Sequence, residues 1–358
     1  MSLVWLAFVT ACGPASSGMS TEGGGGSSTG TSTGVPTTSG GEPVDAIAWT
    51  YTHDGAANKR DMALGVAVDK AGRIIVVGVE TGETQDGLII ALSSEGEELW
   101  RRTFDGLARL EDEFWGVVLD DDGRIFVAGS EEVAPNKRTS IVRAFDVEGG
   151  ELWRFAEEPA VPSYAYVAGL VLADGALYSV GADRIMDGGG LFTVRRHDPD
   201  TGALAWRTAT QAGWKGAYGS GITATAERVI AVGYVKDEDI QPLTVVLDPA
   251  GAIVSETLHE IPRGFWNQIA PIGASGDLML VGGTFMPGVI NRDVIVRVGT
   301  SPGVTGSAAG PGAGSWSTVA GTTRRRVADA VCRDAGVPTG SSRPTRPTTF
   351  RRRSGRRP

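Results

Sequence analysis

Trp49, Trp100, Trp153 and Trp206 recur at intervals of 51, 53 and 53 residues, each near the end of a similar segment. A fixed period near fifty residues with strand-like content restricts the chain to a repeat array, because one such unit cannot bury its apolar face alone and must stack on its neighbours. Gly78, Gly129, Gly181, Gly233 and Gly282 keep the same beat, each closing an apolar run. Two landmarks in phase predict an all-β fold: a β-propeller of four-stranded blades with about five blades visible, or a truncated propeller of six to eight.

Each unit has the same grammar. A strand such as Gly65 to Asp69 meets a turn at Lys70 to Arg73, then a strand Ile74 to Gly78, a variable loop, a strand Leu88 to Leu92, a turn at Ser94 to Gly96 and a Trp-bearing strand Glu98 to Arg101. Units two and three repeat this with Val117 to Asp120, Ile125 to Gly129, Ile141 to Phe145 and Leu152 to Arg154, then Gly169 to Ala173, Leu177 to Gly181, Phe192 to Arg196 and Leu204 to Arg207. In the fourth unit Ser255 stands where Trp is expected, and the fifth reaches Val294 to Val298 with no recognisable fourth strand. Residues 44–52 carry a spare Trp-bearing strand and are expected to complete the fifth blade, closing the ring and removing its open edge.

Asp198-Pro199-Asp200-Thr201-Gly202-Ala203-Leu204-Ala205-Trp206 and Asp146-Val147-Glu148-Gly149-Gly150-Glu151-Leu152-Trp153 share an order of Asp, turn, Gly, apolar residue and Trp. In this the units resemble the quinoprotein-like (PQQ-like) propeller repeats of bacterial exported proteins, over roughly residues 44–298. The resemblance implies the architecture and assigns no activity. Trp49, Trp100, Trp153 and Trp206 are expected to be structural anchors between blades, since a side chain of that size buries roughly 150–250 Å². Trp115, Trp266 and Tyr218 lie near the starts of first strands and are candidates for stacking on a ligand.

At the N-terminus an apolar run, Leu3 to Val9, is too short to span a membrane and leads into Val9-Thr10-Ala11-Cys12-Gly13. This resembles a bacterial lipoprotein signal with its lipobox, although no Lys or Arg precedes the run. The resemblance implies cleavage before Cys12 and lipid attachment at Cys12. Residues 13–43 hold 10 Gly, 7 Ser and 6 Thr in 31 positions, a composition that behaves as a flexible tether with a mean reach of about 30 Å. The expected organisation is a signal peptide over 1–11, a tether over 12–43, the propeller over 44–299 and a disordered Arg-rich tail over 300–358. The expected location is a bacterial cell envelope, with the chain lipid-anchored at the outer membrane.

The net charge of −9 hides an asymmetry, for residues 300–358 carry 11 Arg against 2 Asp, leaving −18 on the rest. An acidic body argues against nucleic acid as a partner, so the membrane contact is expected through the lipid anchor only. The tail breaks the repeat in mid-blade and reads as a frameshift product of a G- and C-rich gene, as a native basic arm, or as a small partner-binding element.

No constellation for catalysis emerges. His53, His197 and His259 lack metal-ligand spacing, and Asp120-Asp121-Asp122-Gly123 reads as a hairpin turn rather than a calcium loop because Asp69-Lys70-Ala71-Gly72 occupies the same place one unit earlier. No cofactor or metal is expected. The leading expectation is a monomeric, lipid-anchored scaffold that binds an unknown protein or small-molecule ligand. Its loops Glu131 to Arg138, Asp183 to Gly189 and Lys236 to Gln241 would supply the binding surface. The competing expectation is an extracytoplasmic propeller enzyme, a lyase, hydrolase or degenerate quinoprotein-type oxidoreductase with its site in the central channel, since such sites are assembled from loops without a local motif.

Overall fold

The computed structural model describes residues 48–157, 163–185, 189–210, 214–272, 277–285, 292–300 and 316–319. Alternating Val, Ile and Leu with β-branched neighbours build strands throughout. The first blade is β1 (Met62–Val68), β2 (Ile74–Thr81), β3 (Gln85–Leu92) and β4 (Glu98–Phe104), an antiparallel meander in sequence order. The second is β5 (Asp112–Leu119), β6 (Ile125–Ala134), β7 (Lys137–Phe145) and β8 (Glu151–Glu157), and the third β9 (Ser163–Ala173), β10 (Ala176–Ile185), β11 (Gly190–His197) and β12 (Leu204–Ala209). A single parallel bridge, Arg138 to Tyr164, joins the second and third into one eight-stranded sheet. The fourth blade is β13 (Gly216–Ala224), β14 (Val229–Lys236), β15 (Ile240–Leu247) and β16 (Ile253–Leu258). The last sheet has the order β17 (Gly264–Ile272), β18 (Asp277–Phe285), β19 (Arg292–Thr300) and β20 (Trp316–Val319). Two compact units are distinguished, Met1–Ala270 with Leu280–Val296, and Pro271–Met279 with Arg297–Pro358; the first four blades lie in the former.

The turns explain the regularity. Asp69 accepts the amides of Ala71 at 2.9 Å and Arg73 at 2.8 Å while its second oxygen pairs with Arg73 Nε at 3.0 Å, and Asp120 does the same with Asp122 and Arg124. The side chain thus mimics a backbone turn. Asp120 to Gly123 is therefore a hairpin turn whose leading carboxylate is committed.

The second landmark is a matter of close backbone approach. In β1, β5, β9 and β13 the register slips by one residue beside Gly65, Gly116, Gly169 and Gly221. Gly78, Gly129, Gly181 and Gly233 sit at these bulges, and at these four and at Gly282 a Cβ would overlap the carbonyl of Met62, Glu113, Tyr166, Tyr218 and Phe265 in turn. They lie within the second strands, not at the strand ends that the sequence pattern suggested.

Successive blades bury one face against the next. Ile75, Val77, Ile89 and Ala91 of blade one meet Ile125, Val127, Ile141 and Phe145 of blade two. Phe126, Ala128, Val142 and Ala144 then meet Val167, Leu170 and Leu177 of blade three, and Tyr178, Val180 and Val194 meet Val229, Ala231, Leu243 and Val245 of blade four. Each fully buried aliphatic side chain in these seams contributes roughly 1.5–3 kcal/mol relative to exposure.

The fourth place of the last blade, expected of residues 44–52, is taken by β20. Residues 48–52 form no strand, because a strand needs a ladder partner and no described strand pairs with them; residues 44–47 lie outside the described residues. β20 escaped notice because no Asp-turn-Gly signal introduces it.

Candidate functional site

The four recurrent tryptophans form one device. The indole N–H of Trp100 donates to the Val147 carbonyl at 3.0 Å, that of Trp153 to Pro199 at 3.0 Å and that of Trp206 to Pro249 at 3.1 Å, always in the third-to-fourth-strand turn of the next blade. Trp49 makes the same bond to Ser94 of blade one at 3.0 Å. Each ring lies on the turn glycine, Gly96, Gly149, Gly202 or Gly251, all with positive φ. Glycine is required there twice over, by the left-handed backbone and by the ring where a Cβ would stand. Each tryptophan thus clasps the turn of the blade that follows it. Cys12 lies outside the described residues.

Trp49 opens a segment that copies an outer strand and its exit. Gly55 N donates to Asp61 Oδ2 at 2.6 Å and Thr81 N to Asp61 Oδ1 at 2.8 Å; one blade later Gly106 N and Glu132 N donate to Asp112 at 2.5 and 3.2 Å. Burial pushes the Asp112 carboxyl up to about 6, against those backbone amides. His53 stands where Phe104 stands one blade on. Arg101 donates to His53 Nδ1 at 2.8 Å, which leaves the ring proton on Nε2, 2.7 Å from Glu80 Oε2. Tyr51 donates to Glu98, and burial with the adjacent carboxylate pushes its phenol up to about 12.

Between this segment and the first blade lies a cavity of about 350 Å³, lined chiefly by Val66, Ile74, Val76, Leu88, Ile90 and Leu92, with Trp49 and Tyr51 on its other side. The aromatic candidates are elsewhere. Trp266 is fully buried against His259, the rings 5.4 Å apart. Trp115 packs on Tyr166 and Tyr218 stacks on Tyr234, both at 4.8 Å. Tyr218 thus spends one ring face on Tyr234, and burial closes Trp266 to a ligand. His259 sits four residues after Ser255 as His53 sits four after Trp49, and bonds Thr244 Oγ1 at 2.8 Å.

Two of the expected binding loops prove to be strand. β6 runs to Ala134 and β7 starts at Lys137, so Glu131 to Arg138 is a tight hairpin; Pro135 and Asn136 complete it, Asn136 with positive φ. Its charges are spent within the fold: Arg138 pairs with Glu111, Glu113 and Glu132, and Glu131 with Arg143 and Arg154. Lys236 to Gln241 is likewise a three-residue turn between β14 and β15. Of Asp183 to Gly189, residues 186–188 lie outside the described residues, and Asp183 and Arg184 belong to β10.

Sequence reasoning missed a polar seam. On blade three the face turned to blade two carries Ser179, Thr193, Arg195 and His197, each at most 1% exposed. Arg195 holds Glu157 of blade two at 2.7 Å and Asp183 at 2.8 Å. Burial raises the Asp183 carboxyl, but Arg195 and Arg207 prevail and hold it below the usual carboxylate range. Burial, with Arg195 beside it, pushes His197 down to about 4. Ser179 Oγ and His197 Nε2 are 3.2 Å apart, a spacing seen in nucleophile and base pairs. Both are sealed in the seam, and His197 Nδ1 has no hydrogen-bond partner among the described residues, so no orienting acid completes the arrangement. Among the described residues no group of three or more His, Cys, Asp or Glu is placed to hold a metal.

Residues 41–181 and 137–246 match a PQQ-type repeat family described as outer membrane protein assembly factor BamB. The chain belongs to this family. No curated protein sequence matches it. Among solved structures it is similar to BamB from Moraxella catarrhalis, at 15% identity over 66% of this chain and 60% of that one, with a TM-score of 0.37. It is also similar to the quinohemoprotein alcohol dehydrogenase ADHIIG from Pseudomonas putida HK5, at 13% identity over 66% of this chain and 50% of that one, with a TM-score of 0.43. A third is the putative exo-beta-1,3-galactanase from Bifidobacterium bifidum s17, at 12% identity over 76% of this chain and 95% of that one, with a TM-score of 0.44. The chain spans 60% of the BamB structure and 50% of the dehydrogenase.

Proposed function

We propose that this chain is a lipid-anchored binding scaffold of the outer-membrane-assembly type, facing the extracytoplasmic side of a bacterial envelope. The match of residues 41–246 to the BamB family carries this reading. The Val9 to Gly13 lipobox supports it, with Cys12 as the acylated residue and residues 13–43 as a tether of about 30 Å reach. The placement of charge supports it as well: Arg138, Arg195 and Glu131 are consumed in ion pairs within and between blades, and the open cavity is apolar. In this reading residues 44–299 present the surface, and residues 300–358 play no part in binding.

Metabolic labelling with an acyl probe and membrane fractionation test the reading. The wild-type chain is expected to be labelled and to sediment with the outer membrane, and Cys12→Ser to be unlabelled and released. An unlabelled wild-type chain in the cytoplasm would overturn it.

A further inference from the structure

Blades two and three carry the same triad of charges at the same register. Gly129 pairs with Ile141 and Gly181 with Thr193, so Arg143, Glu131 and Arg154 of blade two correspond to Arg195, Asp183 and Arg207 of blade three. In each blade two arginines grip one carboxylate. Arg143 and Arg154 hold Glu131 at 3.0 and 2.8 Å, and Arg195 and Arg207 hold Asp183 at 2.8 and 2.5 Å. The difference is at the other end of the inner guanidinium. Arg143 Nη1 donates to Glu151 Oε2 at 2.6 Å, and Glu151 pairs across the ladder with Phe145. The corresponding residue of blade three, paired with His197, is Leu204, whose side chain accepts nothing.

One nitrogen of Arg195 is therefore left over. Its Nε and Nη2 donate to Glu157 at 3.0 and 2.7 Å and Nη2 also reaches Asp183 at 2.8 Å, whereas Nη1 has no hydrogen-bond partner and the side chain is 0% exposed. The facing wall holds a second such atom. Ser140 lies directly across the ladder from Glu157, so the two side chains share the face turned to blade three; Ser140 is fully buried and its Oγ has no partner. His197 Nδ1, two residues beyond Arg195 on the same face, is a third. Buried polar atoms are costly unless something meets them. The seam also has room, because its side chains are small. Thr193 and Ser179 stand at the register of Ile141 and Val127 in blade two, and Ser130 at that of Val79 in blade one.

We infer that the seam between blades two and three contains an internal water site, in which a water accepts from Arg195 Nη1 and donates to Ser140 Oγ. The water does for Arg195 what the Glu151 carboxylate does for Arg143. Charge selects water over an anion, since Arg195 and Arg207 are already balanced by Glu157 and Asp183 and a further negative charge would be buried without a countercharge. Geometry selects it as well, because a buried water satisfies donors and acceptors at once and is held where two or more otherwise unpaired polar groups converge.

A high-resolution crystal structure of the wild-type chain is expected to show a water within hydrogen-bond distance of both Arg195 Nη1 and Ser140 Oγ. A dry seam, or Nη1 bonded to a protein oxygen, would overturn the inference. So would an anomalous peak beside Nη1 after a bromide soak, which would assign the site to an anion. Oxygen-17 magnetic relaxation dispersion then counts long-lived waters in solution. Leu204→Glu installs the carboxylate that blade two carries as Glu151, and Ser140→Val fills the space in the facing wall; each is expected to lose one long-lived water. Leu152→Glu, at an exposed position on the outer strand of blade two, is expected to keep the wild-type count. Equal counts in the wild-type chain, Leu204→Glu and Ser140→Val would contradict the site, as would an equal loss in Leu152→Glu. The wild-type crystal decides even where a variant does not fold.

Discussion

The seam between blades two and three and the aliphatic face of blade one use the same clasp and opposite chemistry. Trp153 on Gly202 and Trp49 on Gly96 are equivalent to within the length of their hydrogen bonds. Behind Trp153 the covered face is polar, with Ser179, Thr193, Arg195 and His197 sealed by blade two. Behind Trp49 the face is aliphatic, with Leu88, Ile90 and Leu92 buried and Ile74 and Val76 half-buried. The difference teaches that the repeat dictates backbone geometry and the clasp, while the chemistry of each face is set by what the neighbouring strands supply. Polar groups are tolerated where Glu157 and Asp183 are already in place to meet them.

The sharpest way to break the comparison is Arg195→Met against Ile90→Arg. Removing the guanidinium leaves Asp183 and Glu157 to Arg207 alone, at the partly exposed rim of the seam, a loss expected at about 2 kcal/mol. Ile90→Arg puts a charge at the same register among the buried Leu88 and Leu92, with Glu80 in the place of Asp183, and is expected to cost about 3 kcal/mol. A loss of Ile90→Arg below that of Arg195→Met in chemical denaturation would mean that the aliphatic face admits the charge to water.

Next is the clasp itself. Trp153→Ala removes a ring packed on Phe126 and Gly202 within a blade and is expected to cost about 3 kcal/mol, while Trp49→Ala, in a segment that pairs with no described strand, is expected to cost about 1 kcal/mol. A Trp49 variant as damaging as the Trp153 variant would show the two clasps to be equally held.

The polar seam also predicts a pH dependence. His197 falls from its usual 6.5 to about 4, so the unfolded chain takes up the proton first. The stability it contributes is fully present above about pH 6.5 and is lost as pH falls towards 4, by about 3 kcal/mol in all. His197→Leu, which installs the residue blades one and four carry as Leu92 and Leu247, is expected to remove that slope. Asp112 acts in the opposite sense below about pH 6 in both proteins, so the difference between wild type and variant isolates His197. A variant with the wild-type slope would assign the pH dependence elsewhere.

The smallest effect separates backbone from ring. Gly175 has a φ of 69° and nothing within 4 Å of a Cβ, whereas Gly202 has a φ of 72° with Trp153 against it. Gly175→Ala is expected to cost about 1 kcal/mol for the left-handed backbone alone, and Gly202→Ala about 1 kcal/mol more. Equal thermal shifts would remove the ring contact from the clasp.

Strands and clasp were legible because both recur: the Asp-turn-Gly signal places each hairpin, and a Trp every fifty residues needs the same pocket each time. The polar seam was not legible. Ser179, Thr193, Arg195 and His197 alternate with Tyr178, Val180 and Val194, which reads as a solvated face opposite a buried one. Alternation shows which residues share a face and is silent on whether another blade covers it. The hairpin at Pro135 and Asn136 read as a loop for a related reason, since Glu131, Glu132 and Arg138 have a loop's composition and pair only in three dimensions. The first segment was half legible: Trp49 keeps the beat of the other tryptophans and makes the same clasp, whereas residues 48–52 form no strand among the described residues.

The most direct test is hydrogen exchange at residues 49–53 and 100–104 in the purified chain. The account predicts that amides of Trp100 to Phe104 which bond β3 are protected at least about a hundredfold more than their counterparts from Trp49 to His53. Equal protection of the two segments would show that residues 49–53 are laddered as residues 100–104 are, and would contradict the account.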